Sequence, residues 1–228
     1  MSRRSPDYAP AVPEPEAVRL ALKRFGFFLP DAVLPPLCAY LDQLGKWKKV
    51  ANLTGPGDWL EILGKLVLDS FHLAPFLDSL DLPSNPLCLD LGAGAGLPGL
   101  PLRMLRPVGP HVLVEAREKR ALFLRAFLAA HPLPGTSVFH GRAEDCLRKC
   151  ASAGLILSRA FKPWAQVLEM AAPHMQSGSF CVFLSLEPLP EIFSAPRTDA
   201  FLEDWTGDRQ ASYIVGGKAR YFWALRKI

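Results

Sequence analysis

The chain has no apolar run long enough to cross a bilayer. Its longest uncharged one, Phe180 to Leu186, is far short of the ~20 residues a spanning helix needs. Cysteine is scarce, with five residues scattered as Cys38, Cys88, Cys146, Cys150 and Cys181 and no CxxC pair. That odd number and spacing argue against a disulfide or zinc framework and read as buried free thiols of a reducing compartment. The five histidines stand apart in sequence, so a metal centre has little support. Neither sign of charge dominates. A net charge of +4 permits nucleic acid as a partner without demanding it. Arg3 and Arg4 have no apolar run behind them, so the N-terminus does not read as a secretory signal. The expectation is a cytoplasmic, monomeric protein of one domain plus an accessory segment. Its 50% hydrophobic content is enough for a sizeable core.

What is present centres on Leu87-Cys88-Leu89-Asp90-Leu91-Gly92-Ala93-Gly94-Ala95-Gly96-Leu97-Pro98-Gly99. A short apolar run without alternation reads as a buried parallel strand. The glycines that follow let the backbone turn sharply and come close to a ligand. Pro98 sits where a helix would begin, a position that tolerates proline. Strand, glycine turn and helix start form a nucleotide site at the carboxyl edge of an open α/β sheet. Gly94-x-Gly96-x-x-Gly99 matches the dinucleotide fingerprint, whereas Asp90-x-Gly92-x-Gly94-x-Gly96 matches the loop of S-adenosylmethionine methyltransferases. Asp90 favours the second, because a carboxylate there suits an amino group and a sulfonium and would sit badly against a pyrophosphate.

His111 to Glu115 reads as a second buried strand ending in an acid. Glu115 follows Gly94 by about 20 residues, the offset of a residue that binds ribose hydroxyls. An N-cap ahead of the next helix is the plainer alternative. After a third strand, Gly141-Arg142-Ala143-Glu144-Asp145 lies at the same sheet edge, where an adenine could be held. Glu144 and Asp145 are equally well placed for the first turn of a helix. After a fourth strand comes Ser158-Arg159-Ala160-Phe161-Lys162-Pro163. An arginine at the end of a buried strand needs an anionic partner: a ligand carboxylate, an RNA phosphate, or an internal acid such as Asp90 or Glu115.

Residues 1–15 are proline-rich and read as a disordered arm. Residues 16–84 read as a helical N-terminal extension. Its helices are expected over 16–25, over 35–49, and from an Asp58-x-x-Glu61 capping box onward. From 85 to 228 strands and helices alternate. Strands are expected at 87–91, 111–115, 136–140, 154–158 and 179–186, with helices at 98–105, 117–130, 144–150 and 162–172. That pattern is an α/β, doubly wound parallel sheet. Ala211 to Val215, Gly216-Gly217 and Arg220 to Lys227 read as a closing antiparallel hairpin, a feature of the methyltransferase version of this sheet.

Several segments occur together in one order and spacing: Lys46-Trp47-Lys48-Lys49-Val50-Ala51-Asn52-Leu53-Thr54, Leu68-Asp69-Ser70, the Asp90–Gly99 loop, Gly141-Arg142-Ala143-Glu144 and Ser158-Arg159-Ala160-Phe161. In this combination the chain resembles the bacterial glucose-inhibited division protein B family. These are small-subunit ribosomal RNA methyltransferases that make 7-methylguanosine in 16S RNA. The resemblance spans roughly residues 16 to 228. It implies a class I, Rossmann-like methyltransferase domain with S-adenosylmethionine held by Gly92, Leu97, Ala143, Glu144 and Arg159. Gly94, Gly96 and Glu115 would shape the pocket. On that reading Asp90 binds the cofactor from the loop, and Arg159 is the catalytic candidate near the transferred methyl, acting by positioning rather than proton transfer. Lys46, Lys48, Lys49, Arg103 and Arg106 are candidates for RNA phosphates. The chain departs from the family at Lys48, where asparagine is usual, at Leu66, where histidine is usual, and at Ser185, near which a lysine-glycine pair is common. A small-molecule methyltransferase and a non-catalytic RNA-binding relative are the alternative readings.

Overall fold

The structure is a computed structural model that describes residues 12–51, 58–150, 152–193 and 202–228; the side chains of residues 48–51 are also outside the description. The expected arm over residues 1–15 falls mostly outside it, and Pro15 already belongs to the first helix.

That helix, α1 (Pro15–Arg24), carries proline in its first turn, Glu16 at its positive end and Lys23 and Arg24 at its negative end. Gly26 follows it with φ +82°, the left-handed conformation that stops helices. Next comes α2 (Leu34–Ala51). The third expected helix is broken into α3 (Trp59–Ile62), a π turn (Leu63–Val67) and α4 (Leu68–Asp78). Asp58 caps α3, its carboxylate accepting from the Glu61 N–H at 2.9 Å.

The remainder alternates as β1 (Cys88–Leu91), α5 (Gly99–Leu105), β2 (His111–Glu115), α6 (Glu118–Ala130), β3 (Thr136–His140), α7 (Ala143–Lys149), β4 (Leu155–Arg159), α8 (Trp164–Ala171), β5 (Phe180–Ser185), β6 (Trp205–Val215) and β7 (Lys218–Lys227). Among the described residues, seven strands lie in the order β3-β2-β1-β4-β5-β7-β6. β1 to β5 are mutually parallel, while β7 runs antiparallel to β5 and β6 antiparallel to β7. Strand β6 begins well before the expected Ala211. Its early half carries exposed Asp208, Arg209 and Gln210 and a register shift between Gly207 and Arg209, so it lacks a regular apolar alternation.

Successive residues of the central strands are buried on opposite faces, as covered parallel strands require. Leu155, Leu157, Phe180 and Val182 pack toward α4, whereas Ile156, Cys181 and Phe183 pack toward α7 and α8. The helical extension closes a third cluster. Leu37, Tyr40, Leu41 and Leu44 of α2 meet Phe123, Leu124 and Phe127 of α6, together with Ala93 and Ala95 of the glycine loop. Tyr40 is fully buried and donates its hydroxyl to the Ala95 carbonyl at 2.8 Å. The extension is thereby fastened to the underside of the loop that the sequence marks as the site.

Candidate active site

The loop after β1 turns at Gly92, Gly94 and Gly96, with φ of +72°, +59° and +85°. At Gly92 the requirement is also spatial: a Cβ would stand 2.6 Å from the Phe161 ring. Gly99 serves packing instead, since a Cβ there would meet Asp90 Oδ2, the Leu113 side chain and His111.

Two carboxylates fix this loop. Glu115, at the end of β2, accepts the Gly94 N–H through Oε2 at 2.8 Å and the Arg117 N–H through Oε1 at 2.7 Å. Asp90 is 1% exposed and accepts the Gly99 N–H at 3.0 Å, which anchors the start of α5, while its other oxygen has no hydrogen-bond partner among the described residues. Burial pushes the Asp90 carboxyl up to about 7, against the pull of the Gly99 N–H and the Arg159 charge. Asp90 therefore lies under the loop as a structural anchor and is absent from the cavity wall, a correction to the ligand-facing role expected of it.

The cavity itself has a volume of about 560 Å³ and sits at the carboxyl edge of the parallel strands. Gly92 forms part of its wall, joined by Val114, Glu115, Ala116, Arg117 and Arg120 from the end of β2 and the start of α6. Gly141, Arg142, Ala143 and Glu144 come from the end of β3 and the start of α7, and Ala160, Phe161 and Lys162 from the end of β4. That volume falls within the roughly 300–1,000 Å³ typical of small-molecule sites. Glu144 and Lys162 pair on its wall, Nζ to Oε1 2.6 Å, and this hydrogen bond draws the Glu144 carboxyl below its ordinary range.

Gly92, Glu115, Ala143 and Glu144 are thus brought together as expected, and other residues are not. Gly94 is held by Glu115, Gly96 faces Leu100 and Leu124, and Leu97 packs on the extension. Arg159 ends β4 but is drawn away to the extension, where its Nη2 lies 3.1 Å from Asp69 and its Nη1 donates to the Leu66 carbonyl at 3.1 Å. Neither Asp90 nor Glu115 is its partner. Because only the Leu66 carbonyl is used, the departure from histidine there spares this contact; the Leu66 side chain packs on the extension core.

The expected phosphate contacts divide. Arg103 is 3% exposed and is spent internally on the Thr136 hydroxyl at 3.1 Å and the carbonyls of Val108 at 2.8 Å, Arg106 and Pro134. Arg106 pairs with Asp78 at 2.6 Å. Arg103 is a correction, since internal acceptors have claimed its guanidinium, whereas Arg106 is paired with a largely exposed acid. Lys46 is exposed and pairs with Asp42, while the Lys48 and Lys49 side chains lie outside the described residues. Trp47 packs inward on Phe123 of α6, ring centroids 5.7 Å apart. Phe161 and Lys162 carry no expected role from the sequence. The one sign was their place directly after a strand that ends at the ligand edge. Ala160, with φ +50°, turns the chain so that they line the cavity.

A family model described as rRNA small subunit methyltransferase G matches residues 34–198. The chain belongs to this family. It is 45% identical over 217 residues to the ribosomal RNA small subunit methyltransferase G of Nitratidesulfovibrio vulgaris strain DP4, covering 93% of this chain and 96% of the relative. The protein of the same name from Oleidesulfovibrio alaskensis is 41% identical over 223 residues, covering 95% and 96%. Among solved structures, an O-methyltransferase from Bacillus cereus in complex with SAH superposes with a TM-score of 0.59 at 17% identity, covering 92% of this chain and 97% of that one. A putative O-methyltransferase from Klebsiella pneumoniae gives 0.60 at 16%, covering 92% and 96%. At those identities the likeness establishes the fold, that of class I methyltransferases. S-adenosylmethionine is the cofactor of this family. No helix among the described residues is long and apolar enough to cross a membrane.

Proposed function

We propose that the protein transfers the methyl group of S-adenosylmethionine to N7 of a guanine in 16S ribosomal RNA, acting as a monomer in the cytoplasm. The observation that carries the reading is the cavity, which opens at the glycine loop with Glu115 and the Ala143-Glu144 pair on its walls. The donor set fits the cofactor. Each Glu115 oxygen is spent on one backbone N–H and keeps a second lone pair for a ribose hydroxyl. Ala143 and Glu144 line the cavity and are the residues proposed to read an adenine edge, and Gly92 leaves room where a side chain would displace Phe161. Leu97, Gly94 and Gly96 support the loop from below.

When bound, the cofactor supplies an activated methyl on a sulfonium. Guanine N7 offers a lone pair and carries no proton, so no general base is required of the chain. The protein's work is alignment and exclusion of water. Arg159, which directly precedes the cavity wall, serves by positioning at the acceptor side rather than by proton transfer. The exposed Lys46, with Arg117 and Arg142 at the cavity mouth, supports contact with RNA phosphates, and Lys48 and Lys49 are candidates from the sequence alone. Transfer of radiolabelled methyl to purified 16S RNA or to small ribosomal subunits tests the reading. Labelling of small-molecule acceptors alone, or of neither, would overturn it.

A further inference from the structure

We infer that Asp69 and Arg220 are positioning residues for methyl transfer, and that they set the place of Arg159 by dividing one carboxylate oxygen between two guanidinium groups. The inference rests on the reading of Arg159 as the positioning group at the acceptor side. Arg159 Nη2 lies 3.1 Å from Asp69 Oδ2, and Arg220 Nη1 reaches the same oxygen at 2.5 Å. The Tyr213 hydroxyl donates to Oδ1 at 3.0 Å. Each arginine then takes one carbonyl of the π turn over Leu63–Val67: Arg159 that of Leu66 at 3.1 Å, Arg220 that of Lys65 at 3.0 Å. Single π turns inside helices are frequent at functional sites.

The cluster is drawn from three parts of the chain. Asp69 comes from the helical extension, Tyr213 and Arg220 from the closing hairpin, and Arg159 alone from the parallel strands. The Asp69 side chain is 3% exposed and those of Arg159 and Arg220 are 18% and 19% exposed, so solvent screens these pairs weakly. Losing one partner leaves the others facing an unbalanced charge.

Sharing has a consequence for Arg159. While Arg220 occupies half of Oδ2, Arg159 is held by one nitrogen on the acid and one on a carbonyl. Without Arg220, the Asp69 Oδ2 oxygen is left to Arg159 and draws it further toward the extension. The next residue, Ala160, already sits at φ +50°, and Phe161 and Lys162 then line the cavity, so a shift of Arg159 is passed to the cavity wall. The hairpin does not depend on Arg220 for its place, because β7 is paired with β5 from Phe180↔Arg226 to Ser185↔Tyr221.

Steady-state methyl transfer to ribosomal RNA by Arg220→Met, Arg220→Lys and Arg159→Met, with calorimetric S-adenosylmethionine affinity, tests the inference. Arg220→Met should lower kcat about tenfold or more while cofactor affinity stays within about threefold, and Arg220→Lys should recover most of kcat. Wild-type kcat in Arg220→Met beside an inactive Arg159→Met overturns this inference and leaves the Arg159 reading standing. Wild-type kcat in Arg159→Met overturns both. Should Arg220→Met fail to fold, Tyr213→Phe removes one donor to Asp69 and keeps the ring stacked on Phe222, centroids 4.4 Å apart. It should lower kcat about two- to fivefold with the protein still folded at the assay temperature, and wild-type kcat there overturns the inference.

Discussion

Gly92→Ala tests the cavity wall most sharply, because two separate costs meet at one atom. The first is conformational: φ of +72° costs a residue with a Cβ about 1–2 kcal/mol. The second is steric, since the new Cβ would lie 2.6 Å from Phe161 Cδ2, 3.1 Å from Cγ and 3.3 Å from Cβ. Overpacking of that kind costs about 1–3 kcal/mol, relieved only when the ring swings away. The single mutant should therefore lose about 2–5 kcal/mol of stability, and its displaced ring should lower S-adenosylmethionine affinity. Phe161→Ala removes the ring atoms and with them the steric cost, but leaves the backbone strain. In a double-mutant cycle by chemical denaturation, Gly92→Ala/Phe161→Ala should be about 1–3 kcal/mol more stable than the sum of its parts. Additivity within about 0.5 kcal/mol would refute the contact between loop and wall.

Asp90→Asn keeps an acceptor for the Gly99 N–H and removes a carboxyl raised to about 7 by burial. The native state binds that proton more tightly than the unfolded chain, so Asp90 stabilises below its ordinary carboxyl range, and this contribution is lost as pH rises toward 7. The variant should keep more of its melting temperature than wild type between about pH 4 and pH 7, and parallel curves would contradict the assignment. Glu115→Ala removes two charge-assisted bonds to backbone N–H groups, each worth about 1.5–3 kcal/mol, so stability and cofactor affinity should fall together. A loss of affinity at unchanged melting temperature would show that its loop-holding bonds carry little weight. Arg103→Gln should cost about 2–4 kcal/mol in denaturation, with the salt dependence of RNA binding unchanged, because this guanidinium is spent on internal acceptors. A flatter salt slope would return Arg103 to the RNA surface.

Strands β1, β2, β4 and β5 were legible to within about a residue at each end because each is a short, mostly apolar run buried on both faces; β3, a half-exposed edge strand, was legible from its place in the βα repeat. The start of β6 was not, for an edge strand with Asp208, Arg209 and Gln210 exposed carries no apolar signature. Gly92, Glu115, Ala143 and Glu144 were legible because the parallel order places every strand end at one edge, so position in the βα repeat fixes position at the cavity. Arg103 misled because a basic residue in a short helix looks the same whether it meets phosphate or a ring of carbonyls. The acceptors that decide the matter lie in the loops at Val108 and Pro134. The pairing of Arg159 with Asp69 joins segments remote in sequence through a π turn, and neither the turn nor the distance leaves a periodic trace. Asp90 was misplaced because a carboxylate before a glycine loop can face the ligand or the first N–H of the next helix, and burial chose the second.

The most direct test of the central claim is the chemical identity of the methylated base. 16S RNA incubated with the protein and S-adenosylmethionine should be cut at a single guanine by borohydride reduction and aniline, which cleave the chain at 7-methylguanosine. Protein carrying Gly92→Ala should leave that RNA uncut. Labelled methyl found in the RNA with no such cleavage would place it on another atom and contradict the N7 account.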